Sequence, residues 1–372
     1  MKIAMIGHKR IPSREGGIEI VVSELATRMV KLGHNVTAYN RKSEHIAGKE
    51  HSISSDMNEW EGVKLIWVPT PNSSKLNAIV YSFFATMKAV FKGYDVIHFH
   101  AEGPSSMVPL AKLFGKKCIV TIHGLDWQRS KWGGFATKFL KFGEKSAAKY
   151  ADEVIVLSQN VKEYFKNTYN RDTVFIPNGI SPAEKRESDI IKDKYSLSKN
   201  DYILFLGRLV PEKGIHYLIE AYKNIDTDKK LVIAGGSSHT SEYEEELKQS
   251  AKDDKNIIFT GFVEGKELEE LYSNAYIYCL PSDLEGMPIS LLEAMSYGNC
   301  CLTSDIDECT EVCENRALYF KKGNVSSLTA QLKMILNDSS KVYEYKNLAK
   351  DFICEKYNWD KTVKETLKLY TR

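Results

Sequence analysis

The sequence predicts two α/β domains, each built on a sheet of parallel strands. Short apolar runs alternate with amphipathic helical segments almost from the first residue, which is the pattern of parallel βαβ units. A polar, charged stretch at 181–200 separates two such series, and 372 residues suffice for two hydrophobic cores. No apolar run reaches the roughly 18 residues that a membrane-spanning helix needs.

The first series opens with the apolar run KIAMIG at 2–7, which predicts a buried strand. Apolar residues then recur at helical spacing from Ile18 to Leu32, and Gly33 ends that helix. The further strands of the series are predicted at 35–39, 63–68, 94–99, 118–122, 153–157 and 173–176.

The second series begins with YILFLGRL at 202–209. Its later strands are predicted at 231–235, 256–263, 276–280, 300–303 and 317–320. At the end of the chain, residues 351–372 have apolar side chains at roughly helical spacing. We therefore interpret 1–180 as one domain, 181–350 as a second and 351–372 as a final helix.

The net charge of +2 hides an asymmetry between the two halves. Residues 1–180 carry 25 lysines and arginines against 16 acids, whereas the remainder carries 26 against 33. This excess predicts that the first half meets an anionic partner, either a membrane surface or a lipid phosphate. Nucleic acid is disfavoured because no recognised binding motif accompanies the charge.

The cysteines and the N-terminus indicate a reducing compartment. The seven cysteines form no CxxC pair, and MKIAMIGHKR begins as a strand without the apolar region of a signal peptide. Cys309 and Cys313 are four residues apart and could share a helix face, but we interpret them as buried thiols. We expect a cytoplasmic protein with no metal site.

The stretch SDLEGMPISLLE at 282–293 predicts an anion-binding helix start. A strand-like run leads into a turn at 283–286, and Pro288 suits the first helical position. The free amides of that helix start can bind phosphate, and Gly286 lets the backbone approach closely. Glu285 and Glu293 flank this point and can accept hydrogen bonds from sugar hydroxyls. The alternative is a helix cap with two solvated acids.

A second charged segment, GRLVPEKG at 207–214, follows a strand, where open α/β sheets bind ligands. Arg208 and Lys213 are five residues apart across a turn. A ligand that combines phosphate with sugar hydroxyls is a nucleotide-diphosphate sugar. When such a sugar is transferred, negative charge develops on the departing diphosphate, and two fixed cations would stabilise that charge. The alternative is a surface turn with solvated charges.

The first domain contributes weaker candidates. Gly16 and Gly17 precede the first helix and can form an amide nest for phosphate or for the acceptor, or they can serve the turn alone. His123 follows a strand in TIHGLDWQR and can hydrogen-bond a sugar or an acceptor hydroxyl. The nearby residues that could line an acceptor pocket are His100, Glu102 and Asp126.

The motif E-G-M-P-x-S-x-x-E at 285–293, followed by EAMSYG, resembles the signature of retaining family-4 glycosyltransferases of the GT-B fold. The resemblance spans nearly the whole chain and is strongest between 202 and 311. It implies two Rossmann-like domains that face a central cleft, with a final helix that crosses back to the first domain.

The resemblance also implies roles for individual residues. It gives contact with the donor sugar to Glu285, contact with the nucleotide ribose to Glu293, and the diphosphate clamp to Arg208 and Lys213. It gives a sugar contact to His123. The implied catalytic set is Arg208, Lys213, Glu285 and His123, and the implied donor-binding set is Gly16, Gly17, Arg208, Lys213, Glu285, Gly286, Met287, Pro288 and Glu293.

One loop departs from the family pattern. Where the family often has a glycine pair, this chain reads SDIDECTE, with Asp307 and Glu308 at that place. Asp305 and Asp307 spell a DxD string, which in a different glycosyltransferase fold holds a divalent metal. We interpret that string as a chance occurrence.

The segment Lys131–Lys149 is the candidate membrane contact. On a helical wheel, its aromatic residues form a stripe beside its lysines, as in helices that lie on anionic lipid. The aromatic stripe is Trp132, Phe135, Phe139 and Phe142, and the lysine stripe is Lys131, Lys138, Lys141, Lys145 and Lys149. The alternative is a core-facing aromatic stripe with a solvated lysine flank.

Together these features predict a retaining, metal-independent glycosyltransferase that needs no cofactor beyond a nucleotide-diphosphate sugar, with a UDP-sugar favoured. Its acceptor would be lipid-linked or a cell-surface glycan, reached at the inner face of the plasma membrane. Two alternatives stay open: a GT-B epimerase or phosphorylase, and a nucleotide-sugar-binding partner subunit without turnover.

Overall fold

The computed structural model describes residues 1–42, 56–71, 76–129, 133–236 and 241–372. The chain forms two compact units. Unit 1 comprises Met1–Gly179 and Trp359–Arg372, and unit 2 comprises Ile180–Asn358. The chain therefore re-enters unit 1 at Trp359, eight residues after the boundary predicted at 351.

Unit 1 alternates strands and helices along the chain. Its described elements are β1 (Lys2–Ile6), α1 (Gly17–Lys31), β2 (Asn35–Lys42), β3 (Glu59–Trp60), β4 (Val63–Pro69), α2 (Asn77–Val90), β5 (Val96–His100), α3 (Glu102–Ser105), α4 (Val108–Leu113), β6 (Lys117–Ile122), α5 (Gly134–Tyr150), β7 (Glu153–Val156), α6 (Gln159–Tyr169) and β8 (Val174–Phe175). Within the described ranges they form one sheet of order β3-β4-β2-β1-β5-β6-β7-β8.

The central strand of this sheet is β1. It pairs in parallel with β2 and with β5, so that Ile3 lies opposite Val36 on one side and Val96 on the other. Residues 3–6 are fully buried, because helices cover both faces of a parallel sheet. The two-residue strand β3 pairs antiparallel with β4 and was not predicted, since two residues carry no periodic signal.

Unit 2 repeats this alternation around a second parallel sheet. Its described elements are α7 (Ile190–Tyr195), β9 (Tyr202–Leu206), α8 (Ile215–Lys223), β10 (Lys230–Ala234), α9 (Ser241–Ala251), β11 (Ile257–Gly261), α10 (Gly265–Asn274), β12 (Ile277–Leu280), α11 (Ile289–Ser296), β13 (Cys301–Ser304), α12 (Asp307–Cys313), β14 (Leu318–Phe320), α13 (Val325–Asn337) and α14 (Ser339–Lys356). The strand order is β11-β10-β9-β12-β13-β14. The strands predicted from the sequence are confirmed in both units, with ends that differ by at most three residues.

The last helix, α15 (Trp359–Thr371), packs within unit 1. The Thr362 hydroxyl donates to the carbonyl of Pro177 at 2.9 Å, and the Tyr370 hydroxyl lies 2.6 Å from Nδ1 of His98. Gly179 permits the close approach, because a Cβ there would lie 2.3 Å from the backbone nitrogen of Trp359. The predicted return of the final helix to the first domain is therefore confirmed.

Across the described ranges, none of the helices combines the length and the apolar character required to cross a membrane.

Candidate functional site

The charged candidates of unit 2 come together at the carboxyl edge of its sheet. Arg208 and Lys213 follow β9, and Glu285 follows β12, the strand that neighbours β9. Nζ of Lys213 lies 2.5 Å from Oε1 of Glu285, and their side chains are only 13% and 8% exposed. The Ser282 hydroxyl donates to the same oxygen at 2.6 Å. The predicted phosphate-binding lysine and the predicted sugar-binding carboxylate thus form an ion pair.

Two glycines allow the loops at this edge to touch. Gly214 has φ +66°, and a Cβ there would lie 2.0 Å from the carbonyl oxygen of Pro281, in the loop that leads to Glu285. Gly235 has φ +138°, and a Cβ there would lie 1.8 Å from the carbonyl oxygen of Gly207. The residues next to Arg208 and Lys213 are therefore fixed against neighbouring loops by backbone contacts that tolerate no side chain.

The helix start at 288 differs by one residue from the prediction. Pro288 has ψ 100° and lies outside α11 as its N-cap, so the first helical residue is Ile289. The carbonyl of Pro288 accepts from the amide of Leu292 at 3.2 Å, as an N-cap carbonyl does. Gly286 and Met287 precede it and are buried. The first amides of α11 lack partners within the helix and can bind an anion.

Glu293 lies one turn into α11 and is held by a residue that the sequence did not point to. The Tyr272 hydroxyl donates to Oε2 of Glu293 at 3.1 Å and lies 3.3 Å from the carbonyl oxygen of Ser290. Tyr272 stacks on Tyr297, with ring centroids 5.3 Å apart and an interplanar angle of 13°. The Tyr272 hydroxyl therefore orients Glu293 on α11.

Both aspartates of the DxD string have structural positions. Oδ1 of Asp305 accepts from the amide of Lys322 at 2.8 Å, and Asp307 and Glu308 open α12. Among the described residues, no group of three or more His, Cys, Asp or Glu side chains is arranged to hold a metal ion.

The cysteines of unit 2 include five buried free thiols: Cys279, Cys300, Cys301, Cys309 and Cys313. Burial raises the pKa of Cys313, so this thiol is not a ready nucleophile. The interpretation of Cys309 and Cys313 as buried thiols is confirmed.

In unit 1, the glycine loop meets a buried acid that the sequence analysis did not single out. Gly16 is the N-cap of α1 and Gly17 its first residue. Oε1 of Glu19 accepts from the Lys9 amide at 2.7 Å, and a Cβ on Gly16 would lie 2.6 Å from Oε2 of Glu19. Burial acts to raise the pKa of Glu19, but the charge of Lys9 and this hydrogen bond outweigh it and lower the pKa. An ionised carboxylate therefore lies beside Gly16. The sequence feature that could have indicated Glu19 is its position as an acid in the first turn of α1.

Histidines occupy the carboxyl ends of the central strands of unit 1. Nδ1 of His100, at the end of β5, lies 3.1 Å from Nε2 of His123, which follows β6. The ring of His98 lies 4.2 Å from that of His100, and its Nε2 is 2.7 Å from the Thr121 hydroxyl. Burial lowers the pKa of His98 to about 3 and that of His123 to about 4. Burial also lowers the pKa of His100, so this cluster is neutral at neutral pH.

His8, which follows β1, has an assignable tautomer. Its Nε2 lies 3.0 Å from Oδ1 of Asn40, and that oxygen also accepts from the amide of Ile11. The Asn40 oxygen is thus an acceptor, so Nε2 of His8 carries the proton and Nδ1 is an acceptor. Among the described residues, neither Nδ1 of His8 nor Nε2 of His100 has a hydrogen-bond partner, although both are buried.

The remaining acceptor candidates differ in their surroundings. Glu102 is fully buried, and burial, with the charges of Asp126 and Glu144, raises its pKa, so it is protonated at neutral pH. The Glu144 carboxylate accepts from Nε1 of Trp127 at 3.0 Å and from the Tyr164 hydroxyl at 2.8 Å. Glu102 itself lies in the interior, and among the described residues neither of its carboxyl oxygens has a hydrogen-bond partner. The partly exposed Asp126 forms an ion pair with Arg129 at 2.8 Å.

The candidate membrane segment is described from Gly133 onward, and Lys131 and Trp132 lie outside the described residues. Phe135 and Phe142 of α5 are 77% and 55% exposed, whereas Leu140 is buried. The two exposed phenylalanines are not core-facing, and the lysines at 138, 141, 145 and 149 are exposed beside them. Lys141 lies over the Trp127 ring at 4.1 Å.

Comparison with known proteins places both halves of the chain in one class of enzyme. Residues 15–184 match the model of glycosyltransferase family 4, and residues 187–359 match the model of glycosyl transferases group 1. An uncharacterized glycosyltransferase of Methanocaldococcus jannaschii is 29% identical over 100% of this chain and 98% of its own length.

Two further proteins extend this comparison. The Escherichia coli UDP-Gal:alpha-D-GlcNAc-diphosphoundecaprenol alpha-1,3-galactosyltransferase is 27% identical over 58% of each chain. The crystal structure of HepE of Anabaena in complex with UDP and glucose shares the fold, with a TM-score of 0.82 and 17% identity over 100% of this chain and 99% of that one. With two parallel-sheet domains that each match a glycosyltransferase model, the chain belongs to the GT-B glycosyltransferases.

Proposed function

We propose that this protein is a retaining, metal-independent glycosyltransferase. It moves a sugar from a nucleotide-diphosphate sugar to a lipid-linked or cell-surface glycan acceptor. The observation that carries the proposal is the convergence of Arg208, Lys213, Glu285 and the start of α11 at one sheet edge. Two cations and a helix start suit a diphosphate, and a carboxylate beside them suits the hydroxyls of the attached sugar.

The ion pair between Lys213 and Glu285 links the proposed phosphate-binding group to the proposed sugar-binding group. Lysine has three ammonium hydrogens, so Lys213 can keep Glu285 oriented while it donates to a phosphate oxygen. The second carboxylate oxygen of Glu285 is then available to the sugar. Because Ser282 also holds Glu285, the carboxylate keeps its place before the donor binds.

For the chemical step we propose front-face attack. The bond between the anomeric carbon and the β-phosphate oxygen breaks, the acceptor oxygen bonds to the same face of that carbon, and the acceptor's proton passes to the departing phosphate. Arg208 and Lys213 stabilise the charge that develops on this phosphate, so the protein supplies electrostatic stabilisation rather than a nucleophile.

A UDP-sugar is the favoured donor. HepE has the same fold and was crystallised with UDP and glucose, and the E. coli relative is named for a UDP-galactose donor. In this proposal Glu293, which Tyr272 anchors, accepts hydrogen bonds from ribose hydroxyls one helical turn beyond the start of α11.

We assign the acceptor to unit 1. Glu19 places a buried negative charge beside Gly16, which opposes a phosphate there and favours a hydroxyl donor. His123 and His100 are neutral and can exchange hydrogen bonds with hydroxyls without attracting an anion. The loop at Gly16 and Gly17 therefore suits the incoming acceptor better than the donor phosphates.

The deciding experiment measures donor binding and transfer separately. A thermal-shift panel of nucleotide sugars identifies the donor, because a ligand at about 100 times its Kd adds roughly 2.7 kcal/mol to stability. Product analysis with and without acceptor then tests the reaction. Conversion of the donor sugar without acceptor would indicate an epimerase. Transfer of the sugar to free phosphate would indicate a phosphorylase, and binding without turnover would indicate a partner subunit.

Metal independence has its own test. We expect full transfer in excess chelator, since Arg208 and Lys213 neutralise the diphosphate. Loss of transfer in chelator with recovery in Mg²⁺ or Mn²⁺ would contradict the proposed clamp.

We further propose that α5 rests on anionic lipid at the inner face of the plasma membrane, which would bring the enzyme to a lipid-linked acceptor. The exposed Phe135 and Phe142 beside lysines support this orientation. Vesicle sedimentation should show binding that weakens as salt rises. Lys138→Ser with Lys145→Ser should reduce binding, whereas Lys252→Ser with Lys255→Ser, on unit 2, should not.

A further inference from the structure

A lysine-lined recess lies on unit 2 at the edge opposite to the proposed donor site. Its volume is about 180 Å³. Asn200 and Asn299 line it, and each lies two residues before a strand, β9 and β13 respectively. The recess is therefore at the amino edge of the sheet, whereas Arg208 and Glu285 follow the carboxyl ends of its strands.

Three lysines from separate segments line this cavity, which we call the lysine recess. They are Lys185, Lys199 and Lys346. Among the described residues, no carboxylate lines it, and neither Lys185 nor Lys199 has an ion-pair partner. Nζ of Lys346 donates to Oδ1 of Asn200 at 2.8 Å and to the carbonyl of Ala275 at 2.9 Å. These two bonds fix the ammonium and leave its third hydrogen for a ligand.

The three ammonium groups repel one another electrostatically. Burial, together with the charges of Lys185 and Lys199, lowers the pKa of Lys346 to about 8, although Cys300 acts to raise it. Burial and the charges of Lys199 and Lys350 likewise lower the pKa of Lys185. Like charges that converge without a carboxylate are unfavourable, and a bound anion would reverse the sign of that interaction.

We propose that the lysine recess binds a dianionic phosphate, either inorganic phosphate or the phosphate monoester of a small metabolite. Lysine ammoniums act as point charges that suit the oxygens of a phosphate. The recess is smaller than the roughly 300 Å³ at which pockets for drug-sized ligands begin, so it fits a phosphate group better than a nucleotide. Tyr343 and Asn347 at the rim supply neutral groups for the rest of a small ester.

Calorimetric titration of the full chain with sodium phosphate and with glycerol 3-phosphate tests the proposal. We expect Lys185→Ser with Lys199→Ser to weaken binding at least tenfold, about 1.4 kcal/mol. The charge-matched control, Lys192→Ser with Lys252→Ser, changes two exposed lysines of unit 2 outside the recess and should bind as the unaltered chain does.

A third variant separates this site from the proposed donor clamp. Arg208→Ala should retain phosphate binding, because Arg208 follows β9 at the other edge of the sheet. Tighter binding of glycerol 3-phosphate than of phosphate would support a metabolite as the ligand, and equal binding would support free phosphate. Absence of binding at millimolar phosphate, or a loss confined to Arg208→Ala, would overturn the proposal.

Discussion

The carboxyl edges of the two sheets differ in electrostatic character. In unit 1, His100 ends β5, and His8 and His123 follow β1 and β6; the three imidazoles are buried and neutral. In unit 2, the positions after β9 and β12 hold the ion pair of Lys213 and Glu285. Both edges have the same parallel-strand geometry, so the residues that follow the strands, rather than the fold, set the chemistry.

This difference fits a division of labour within the proposed reaction. A diphosphate needs fixed positive charge, which the unit 2 edge supplies. An acceptor hydroxyl needs groups that exchange hydrogen bonds without holding the leaving anion, and neutral imidazoles can do so. Changes at the unit 1 edge should therefore alter the stability of the fold at low pH. Changes at the unit 2 edge should alter donor binding and transfer.

The largest expected effect is acid destabilisation of unit 1. Burial lowers the pKa values of His8, His98, His100 and His123 below the 6.5 of an unfolded chain. The unfolded state then binds more protons at these histidines, so their contribution to stability is full above about pH 6.5 and is lost as the pH drops toward 4. Glu102, whose pKa is raised, opposes this loss by about one proton. We expect a net loss of about 3 kcal/mol at pH 5.5.

Tryptophan fluorescence can follow this loss selectively, because all five tryptophans lie in the ranges of unit 1. Urea unfolding at several pH values should show the midpoint fall between pH 6.5 and 5. His98→Gln should reduce the slope by about one proton, or 1.4 kcal/mol per pH unit. Burial also lowers the pKa of His216, but this residue lies in unit 2, so His216→Gln should leave the tryptophan-detected transition of unit 1 unchanged. A pH-independent midpoint would show that the histidines are not buried in neutral form.

Next in size is the effect of removing a cation from the unit 2 edge. Arg208→Ala should lower kcat/KM at least 100-fold, about 2.7 kcal/mol, because charge on the leaving phosphate loses a fixed partner. Arg186→Ala, at an exposed arginine paired with Glu269, is the matched control and should leave activity intact. Steady-state kinetics with the identified donor measures both variants. A loss below tenfold for Arg208→Ala would remove this residue from the proposed clamp.

A smaller effect should follow from separating the two loops at that edge. Gly214→Ala would place a Cβ 2.0 Å from the Pro281 carbonyl at φ +66°, so backbone must shift. Gly265→Ala has similar strain at φ +57° but meets nothing within 4 Å. We expect a stability loss of about 1 kcal/mol for Gly265→Ala and about 2 kcal/mol or more for Gly214→Ala. Urea unfolding followed by circular dichroism compares them, and equal losses would show that the contact with Pro281 does not constrain the loop.

The contrast between the two edges also shows what the sequence could and could not predict. The strands of both sheets were predictable because helices bury both faces and leave continuous apolar runs. Arg208, Lys213, Glu285 and Glu293 were identifiable because short local strings carry them. Their partners were not, since the Tyr272 contact with Glu293 spans 21 residues and forms only when the fold brings two separate helices, α10 and α11, to the same site.

Unit 1 was less predictable for the same physical reason. Burial raises the pKa of Glu102, and so does the charge of Glu144, a residue of α5 that no local pattern connects with it. Glu19 did carry a local signal, because an acid in the first turn of a helix often binds a backbone amide. Local strings thus identify charged candidates for ligand binding more readily than contacts between buried groups that form only on folding.

The smallest effect separates the two carboxylates of unit 2. Glu293 is anchored by Tyr272 at the position proposed for the ribose, so Glu293→Gln should weaken UDP binding about tenfold, or 1.4 kcal/mol. Glu285 is held by Lys213 and Ser282 beside the proposed sugar position, so Glu285→Gln should leave UDP affinity within about threefold while lowering transfer. Calorimetry with UDP and kinetics with the donor measure the two quantities. Tyr272→Phe, which removes only the hydroxyl that orients Glu293, should reproduce part of the loss in UDP affinity without a further loss of transfer at saturating donor. Equal weakening of UDP by the two glutamine variants would contradict the assignment, because it would place both carboxylates on the nucleotide.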